Sequence, residues 1–444
     1  MRHTRKPALV IALAAMMMAL KLGAVSAETK MDEAVSKRID ERALEVEKSV
    51  IACRRDIHQN PELGNREFRT SKLIADRLRA LGIEVQTPIA HTGVVGLLRG
   101  GKPGGVVALR ADMDALPVSE QVDLPFASKA RTSYNGSEVG VMHACGHDAH
   151  VAILLGVADV LSSIRKEIPG TVKFLFQPAE EGAPAGEEGG AKLMVKEGAL
   201  ENPKPDAVFG LHVTSRFPVG TVAYVSGGAM AAVDTLTIKV HGKQTHGAYP
   251  WLGVDPIVVA SQIVLGLQTV ASRQLDSSLA PSIVTIGVIR GGVRNNIIPD
   301  DVEMIGTLRS LDKAMRDELH HRVRLTAEKI AESAGAKADV TIETGYPITY
   351  NDPALTSRMA PTLEAVAGKS STLVTRPVLG AEDFSFYQEK VPGLFFWLGT
   401  RPANVREADA ASNHSPLFYI DESGLLLGVR ALSHIALDYL GKGR

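Results

Sequence analysis

The sequence predicts an α/β protein: a mostly parallel sheet with flanking helices, interrupted by a small ferredoxin-like α+β domain. Three observations predict it. Over 28–228, short wholly apolar runs alternate with stretches of helical period, the pattern of strands buried on both faces. Over 229–345 the order becomes β-α-β-β-α-β, which is a complete small unit in itself. Over 346–444 the earlier style returns, so the small domain is inserted into a larger, discontinuous one.

The elements follow in order. Arg2, Arg5 and Lys6 precede an apolar run over 8–20, and Val25-Ser26-Ala27 follows. A basic start, a short apolar stretch and a small-residue cleavage site read as a secretory signal peptide over 1–27. The run is shorter than the ~20 residues that span a bilayer. The expectation is export: periplasmic in a Gram-negative cell, secreted otherwise, and free of the membrane after cleavage. A helix is expected over 31–58, with Ile39, Ala43, Val46, Val50 and Ile51 at helical spacing, and Asn60-Pro61 breaks it. A second helix over 67–81 stops at Gly82, where a left-handed cap belongs. Strands are expected over 94–98, 106–110, 172–176 and 208–213, with a helix over 148–164. The small domain reads as strands over 235–240, 282–289, 302–309 and 339–344, with helices over 255–272 and 313–333. Segments 353–367, 395–398 and 425–440 complete the larger domain.

Composition narrows the function. Lys plus Arg number 49 and Asp plus Glu 50 in 444 residues, so the basic excess of a nucleic-acid binder is missing. Two cysteines exclude a disulfide-rich scaffold. Cys53 and Cys145 could pair after export. Cys145, though, lies two residues before His147 across Gly146, which is metal-ligand or nucleophile context, whereas Cys53 reads as a packed small residue.

Five segments place polar residues where strands should end, the edge at which open α/β sheets bind ligands. In ALRADMDALP, Asp112 and Asp114 alternate past a buried strand and would point to a common site. In MHACGHDAH, Cys145 and His147 flank a glycine that lets sulfur and nitrogen converge, a donor pair suited to zinc or another borderline metal. In FLFQPAEEG, Glu180 and Glu181 follow a buried strand. In extended chain they would face opposite ways, one toward a metal and one toward the reacting group as general base. GLHV places His212 at a strand end, and SNHSP places His414 in a loop.

These motifs, together with HGAYPWLGVDP, NNIIPD and GTLR in the small domain, run in order through nearly the whole mature chain. The sequence closely resembles the amidohydrolases of the hippurate hydrolase and indole-acetyl-amino-acid hydrolase type, within the aminoacylase–carboxypeptidase superfamily of di-metal peptidases. The resemblance implies two divalent ions, zinc or manganese, held by Cys145, His147, Glu181, His212 and His414. It implies Glu180 as general base and Asp114 as the carboxylate that orients the metal centre. The small domain would be a lid and the surface of a homodimer. Its His246 matches a histidine that reaches a neighbouring active site and stabilises the oxyanion. Asn296, Arg309 and Gly380 match positions near the substrate. Trp251 departs from the family pattern, where a histidine is usual.

The activity so implied is hydrolysis of N-acyl-L-amino acids to a carboxylic acid and an amino acid. A dipeptidase or carboxypeptidase using the same centre is the alternative. A cysteine-nucleophile amidase built on Cys145 and His147 would leave Glu180, Glu181, His212 and His414 without a role. A solute-binding protein would need no metal constellation. Neither GxSxG nor HExxH occurs in the chain.

Overall fold

A computed structural model describes the backbone of residues 8–441 and the side chains of residues 33–441; the leader expected over 1–27 lies outside the residues described to that level. Helix α1 (Ala8–Gln59) buries Ile39, Ala43, Val46, Val50 and Ile57 along one face. Helix α2 (Phe68–Ala80) ends two residues before Gly82, whose φ of 69° is the left-handed cap that the glycine predicts. Strands β1 (Glu84–Ile89), β2 (Gly93–Arg99) and β3 (Lys102–Asp112) lead to helix α3 (His147–Ser163). Strands β4 (Pro169–Gln177), β5 (Ala207–Pro218) and β6 (Val222–Tyr224) follow.

The chain then builds β7 (Ala232–His241), α4 (Pro256–Thr269), β8 (Ser282–Gly291), β9 (Asp301–Ser310), α5 (Lys313–Ser333) and β10 (Lys337–Thr344). It returns through α6 (Pro353–Ala367), β11 (Thr372–Val374), β12 (Gly393–Arg401) and α7 (Leu425–Gly441).

The large sheet has the order β1-β2-β4-β3-β5-β12-β6-β11. Its centre, β4-β3-β5-β12, is parallel throughout. The β1–β2 hairpin joins one side, with β2 antiparallel to β4. Parallel strands share one carboxyl edge, so whatever follows β3, β4, β5 and β12 gathers there. Strand β12 lies beyond the small domain in sequence yet pairs with β5 from Gly393↔Val208 to Gly399↔Thr214. Both halves of the chain are therefore needed to complete that edge. Strand β5 runs past the expected end at Val213 to Pro218, which places His212 inside a strand and not at its tip.

The four strands β8-β9-β7-β10 form a separate antiparallel sheet. Alternation along β7 buries Leu236, Ile238 and Val240 against Leu319 and Val323 of α5 and Ile263 of α4. This cluster is distinct from the one beneath the large sheet.

Candidate metal centre

Each polar segment reaches the carboxyl edge by a local device. Gly146 precedes α3 with φ 90°, and a Cβ there would stand 2.3 Å from Val213 Cγ2. Only glycine serves at this turn, and the turn brings Cys145 Sγ to 3.4 Å from His212 Nε2. Beyond β12, the His414 amide donates to the Ala144 carbonyl at 2.8 Å. Asn413 Nδ2 donates to the Cys145 and Val213 carbonyls at 3.1 and 3.2 Å. The loop is thereby pinned so that His414 Nε2 sits 2.9 Å from Glu181 Oε1.

The histidines are oriented by their other nitrogens. His212 Nδ1 lies 2.7 Å from the Val213 carbonyl oxygen, and His147 Nδ1 lies 2.8 Å from the Asp114 carbonyl. Donation there leaves each Nε2 with a free lone pair, as metal-binding imidazoles require. Cys145, His147 and His212 bring their ligand atoms within 4.8 Å of one another, and Cys145, Glu181 and His414 do the same. The two triads share the thiol. His147 Nε2 is buried with no hydrogen-bond partner, 3.8 Å from Asp112 Oδ2 and 3.9 Å from Glu180 Oε2. A buried orphan nitrogen facing thiol, imidazole and carboxylate fits divalent transition metals.

The electrostatics agree. Burial pushes Glu180 well above the usual carboxylate range, and Glu382, Glu181 and Asp383 push it the same way. Burial also raises the Cys145 thiol, with Glu181 adding to it. Burial would raise Glu181 too, but hydrogen bonding from His414 and the charge of His147 hold it below its ordinary value. His414 is pushed up to about 10, chiefly by hydrogen bonds to Cys145 and Glu181. So many acidic donors crowded away from water are offset by cations.

The structure also corrects the sequence reading. Glu180 and Glu181 do not lie in extended chain. Ala179 adopts φ 51°, the segment turns, and His147, Glu180 and Glu181 all come within 4.8 Å of one another. Asp112 and Asp114 both approach His147, from its two different ring nitrogens, but bind differently beyond it. Asp114 Oδ1 lies 3.2 Å from His147 Nδ1 and its Oδ2 accepts the Glu181 amide at 3.0 Å. Asp112, 3.8 Å from His147 Nε2, makes its hydrogen bonds to Arg110 at 2.7 Å and His150 Nδ1 at 2.5 Å. Asp148, next to His147 in sequence, turns away from the cluster and binds His58 and Arg54. Glu382 accepts the Phe384 amide, and Glu382 and Asp383 both pair with the fully buried Arg110 at 2.9 and 3.0 Å. Arg110 and His150 are the residues that sequence reasoning missed. The available signal was a cation inside the apolar run VVALRADM, which a buried strand tolerates only with buried partners. Both cysteines are free thiols.

A cavity of about 490 Å³ opens above the cluster, lined at its deep end by Cys145, Glu180, Glu181, His212 and His414. Its walls include Phe217, Met230, Val378 and Trp397, and the predicted substrate residues Arg309 and Gly380 line it as well. His246 and Asn296 do not. They sit together on an exposed part of the small domain, beside a short two-stranded antiparallel pairing, where the Gly247 amide donates to the Asn296 carbonyl at 2.8 Å.

A family model described as "Peptidase family M20/M25/M40" matches residues 108–438. The chain belongs to that family. It is a metal-dependent amidohydrolase or peptidase acting on linear amides. Among relatives of the family, "Thermostable carboxypeptidase 2" of Saccharolobus solfataricus is 44% identical over 90% of this chain and 97% of its own. "IAA-amino acid hydrolase ILR1-like 2" of Arabidopsis thaliana is 38% identical over 95% of this chain and 93% of its own. A crystal structure of the Bacillus subtilis YXEP protein, described as a dinuclear metal binding peptidase from the M20 family, superposes with a TM-score of 0.75. It is 36% identical and covers 89% of this chain and 99% of that one.

Proposed function

We propose that the chain is an exported hydrolase of N-acyl-L-amino acids, releasing a carboxylic acid and a free amino acid. The observation that carries this is the convergence of five donors, Cys145, His147, Glu181, His212 and His414, beside the buried carboxyl of Glu180. These five residues would hold two divalent ions, zinc or manganese. When bound, the ions supply Lewis acidity and favour ionisation of the attacking water. Glu180 accepts the proton of that water and returns it to the departing amide nitrogen. Asp114 holds the His147 ring, and Arg309 takes the substrate carboxylate at the cavity wall.

His246 acts from a second copy, donating to the oxyanion of the neighbouring site. This reading is supported by its exposed place, remote from its own cavity, among surface apolar groups that a homodimer would cover. Trp251 is 74% exposed and Val293 96%. Export is supported by the basic and apolar make-up of residues 1–27. Among the described residues, no helix is long and apolar enough to cross a membrane.

A second reading, carboxypeptidase or dipeptidase, is favoured by the name of the 44%-identical relative. One experiment tests both. Hippurate, N-acetyl-methionine, an indole-acetyl-amino acid and several dipeptides are assayed on enzyme as purified, after chelator dialysis, and after adding back zinc or manganese. Cleavage of the acylated substrates, lost with chelator and restored by metal, is expected. Cleavage of dipeptides alone would select the second reading. Chelator-insensitive activity blocked by a thiol reagent would move Cys145 from ligand to nucleophile.

A further inference from the structure

Strand β5 carries more than His212 into the cavity. From Leu211 onward its residues alternate: Leu211, Val213 and Ser215 are buried, while His212, Thr214 and Arg216 all line the cavity. At roughly 3.3 Å per residue, the Arg216 backbone lies roughly 13 Å along the strand from that of His212. A backbone separation of that size is spanned by a substrate of a few residues' length.

Arg216 is set apart by what it lacks. Its amide donates to Thr214 Oγ1 at 3.2 Å, and its guanidinium carbon stands 5.3 Å from the centre of the Phe217 ring. Among the described residues, no carboxylate pairs with that guanidinium. The acids of the cavity are engaged at the other end: Glu181 by His414 and Glu382 by Arg110. The wall near Arg216 is apolar, formed by Phe217 with Met230, Val378 and Trp397. Arg309, the other cation of the cavity, comes from the small domain and also lacks a direct carboxylate partner among the described residues. One cavity thus presents acid-rich metal donors at its deep end, an apolar stretch, and two guanidinium groups with no carboxylate in contact. A guanidinium stacked on an aromatic ring is preset to receive a planar carboxylate.

We infer that Arg216 forms an outer carboxylate-binding subsite, so that the cavity selects amides bearing a second carboxylate besides the one held by Arg309. The inference rests on the hydrolase reading above and names its substrate class. The second carboxylate has two possible sources, the side chain of an acidic amino acid or the far end of a dicarboxylic acyl group. In both, methylenes would lie along the apolar wall.

The test is a pair of matched comparisons on the metal-loaded enzyme. kcat/KM is measured for N-acetyl-glutamate against N-acetyl-glutamine, and for N-succinyl-leucine against N-succinamoyl-leucine. Wild type, Arg216→Ala and Arg216→Lys are compared. The wild type is expected to prefer the charged member of one pair by about tenfold or more, the scale of a charge-assisted contact, and that pair identifies the source. Arg216→Ala should bring the ratio close to one. Arg216→Lys should restore part of it, since it keeps the charge but loses the planar fork. Equal rates within both pairs in the wild type, or a preference that survives Arg216→Ala, overturns the inference. If no compound is cleaved, the hydrolase reading fails on its own. Calorimetric binding of the same pairs to wild type and Arg216→Ala then decides the subsite by the same ratio.

Discussion

His147 Nδ1 lies 2.8 Å from the carbonyl oxygen of Asp114 and 3.2 Å from the Oδ1 of the same residue. Both acceptors sit on one side of the imidazole, so Nδ1 carries the proton and Nε2 is turned toward Cys145 and Glu180 with its lone pair free. The second oxygen of Asp114 holds the Glu181 amide at 3.0 Å. One carboxylate thus sets the attitude of two metal-site residues, one at the start of α3 and one in the turn after β4.

Asp114→Ala removes that support while the Asp114 carbonyl still restrains Nδ1. Metal affinity is therefore expected to fall by about 10–100-fold without being abolished, the usual cost of losing such a partner. Competition with a chromophoric chelator measures it. Unchanged affinity would mean that the main-chain carbonyl alone orients the ring.

Glu180→Gln separates catalysis from metal binding. The side chain is buried beside Glu382 and Asp383, which push its pKa up, so an uncharged isostere relieves repulsion. Turnover should fall by at least ~100-fold, while metal content stays at the wild-type value and thermal stability does not drop. Full activity in this variant would remove Glu180 from the role of base.

How much of this was legible in the sequence depends on the range of the interaction. Elements set by local pattern were readable: α5 and α6 coincide with the stretches 313–333 and 353–367, because helical spacing and breakers are local. The donors of the site were readable because they lie in short polar motifs, CGH, AEEG, GLHV and SNHSP, whose residue types suit a metal. The packing beneath them was not. Arg110 is partnered by Glu382 and Asp383, more than 270 positions away. No periodicity reports such a pairing; only the physical demand that a buried cation be matched points to it. The turn at Glu180 was missed for a different reason. Alternation was carried past the end of β4, where the left-handed Ala179 redirects the chain.

Gly146→Ala probes the turn that joins two ligands. An L-residue at φ 90° is strained, and its Cβ would stand 2.3 Å from the buried Val213, whose neighbour is His212. The strain falls on Cys145, His147 and His212 together. Metal stoichiometry measured by elemental analysis should drop well below wild type, while circular dichroism still reports a folded chain. Full metal occupancy would show that the loop can yield without moving its donors.

Asp234 gives the small domain a pH-dependent anchor. Burial alone would raise its pKa, but hydrogen bonds from His320, at 2.6 Å, and from Arg316 hold it at about 2. The folded pKa lies below the unfolded one of ~3.9, so the stabilisation is complete above about pH 4 and is lost as pH falls toward 2. After allowance for solvent screening, its size is on the order of 1–2 kcal/mol. Asp234→Asn keeps the shape but not the charge. In urea unfolding at pH 7 it should be less stable than wild type by that amount, and the gap should narrow steadily at pH 4, 3 and 2. A gap that stays constant down to pH 2 would assign the loss to packing and not to the ion pair with Arg316.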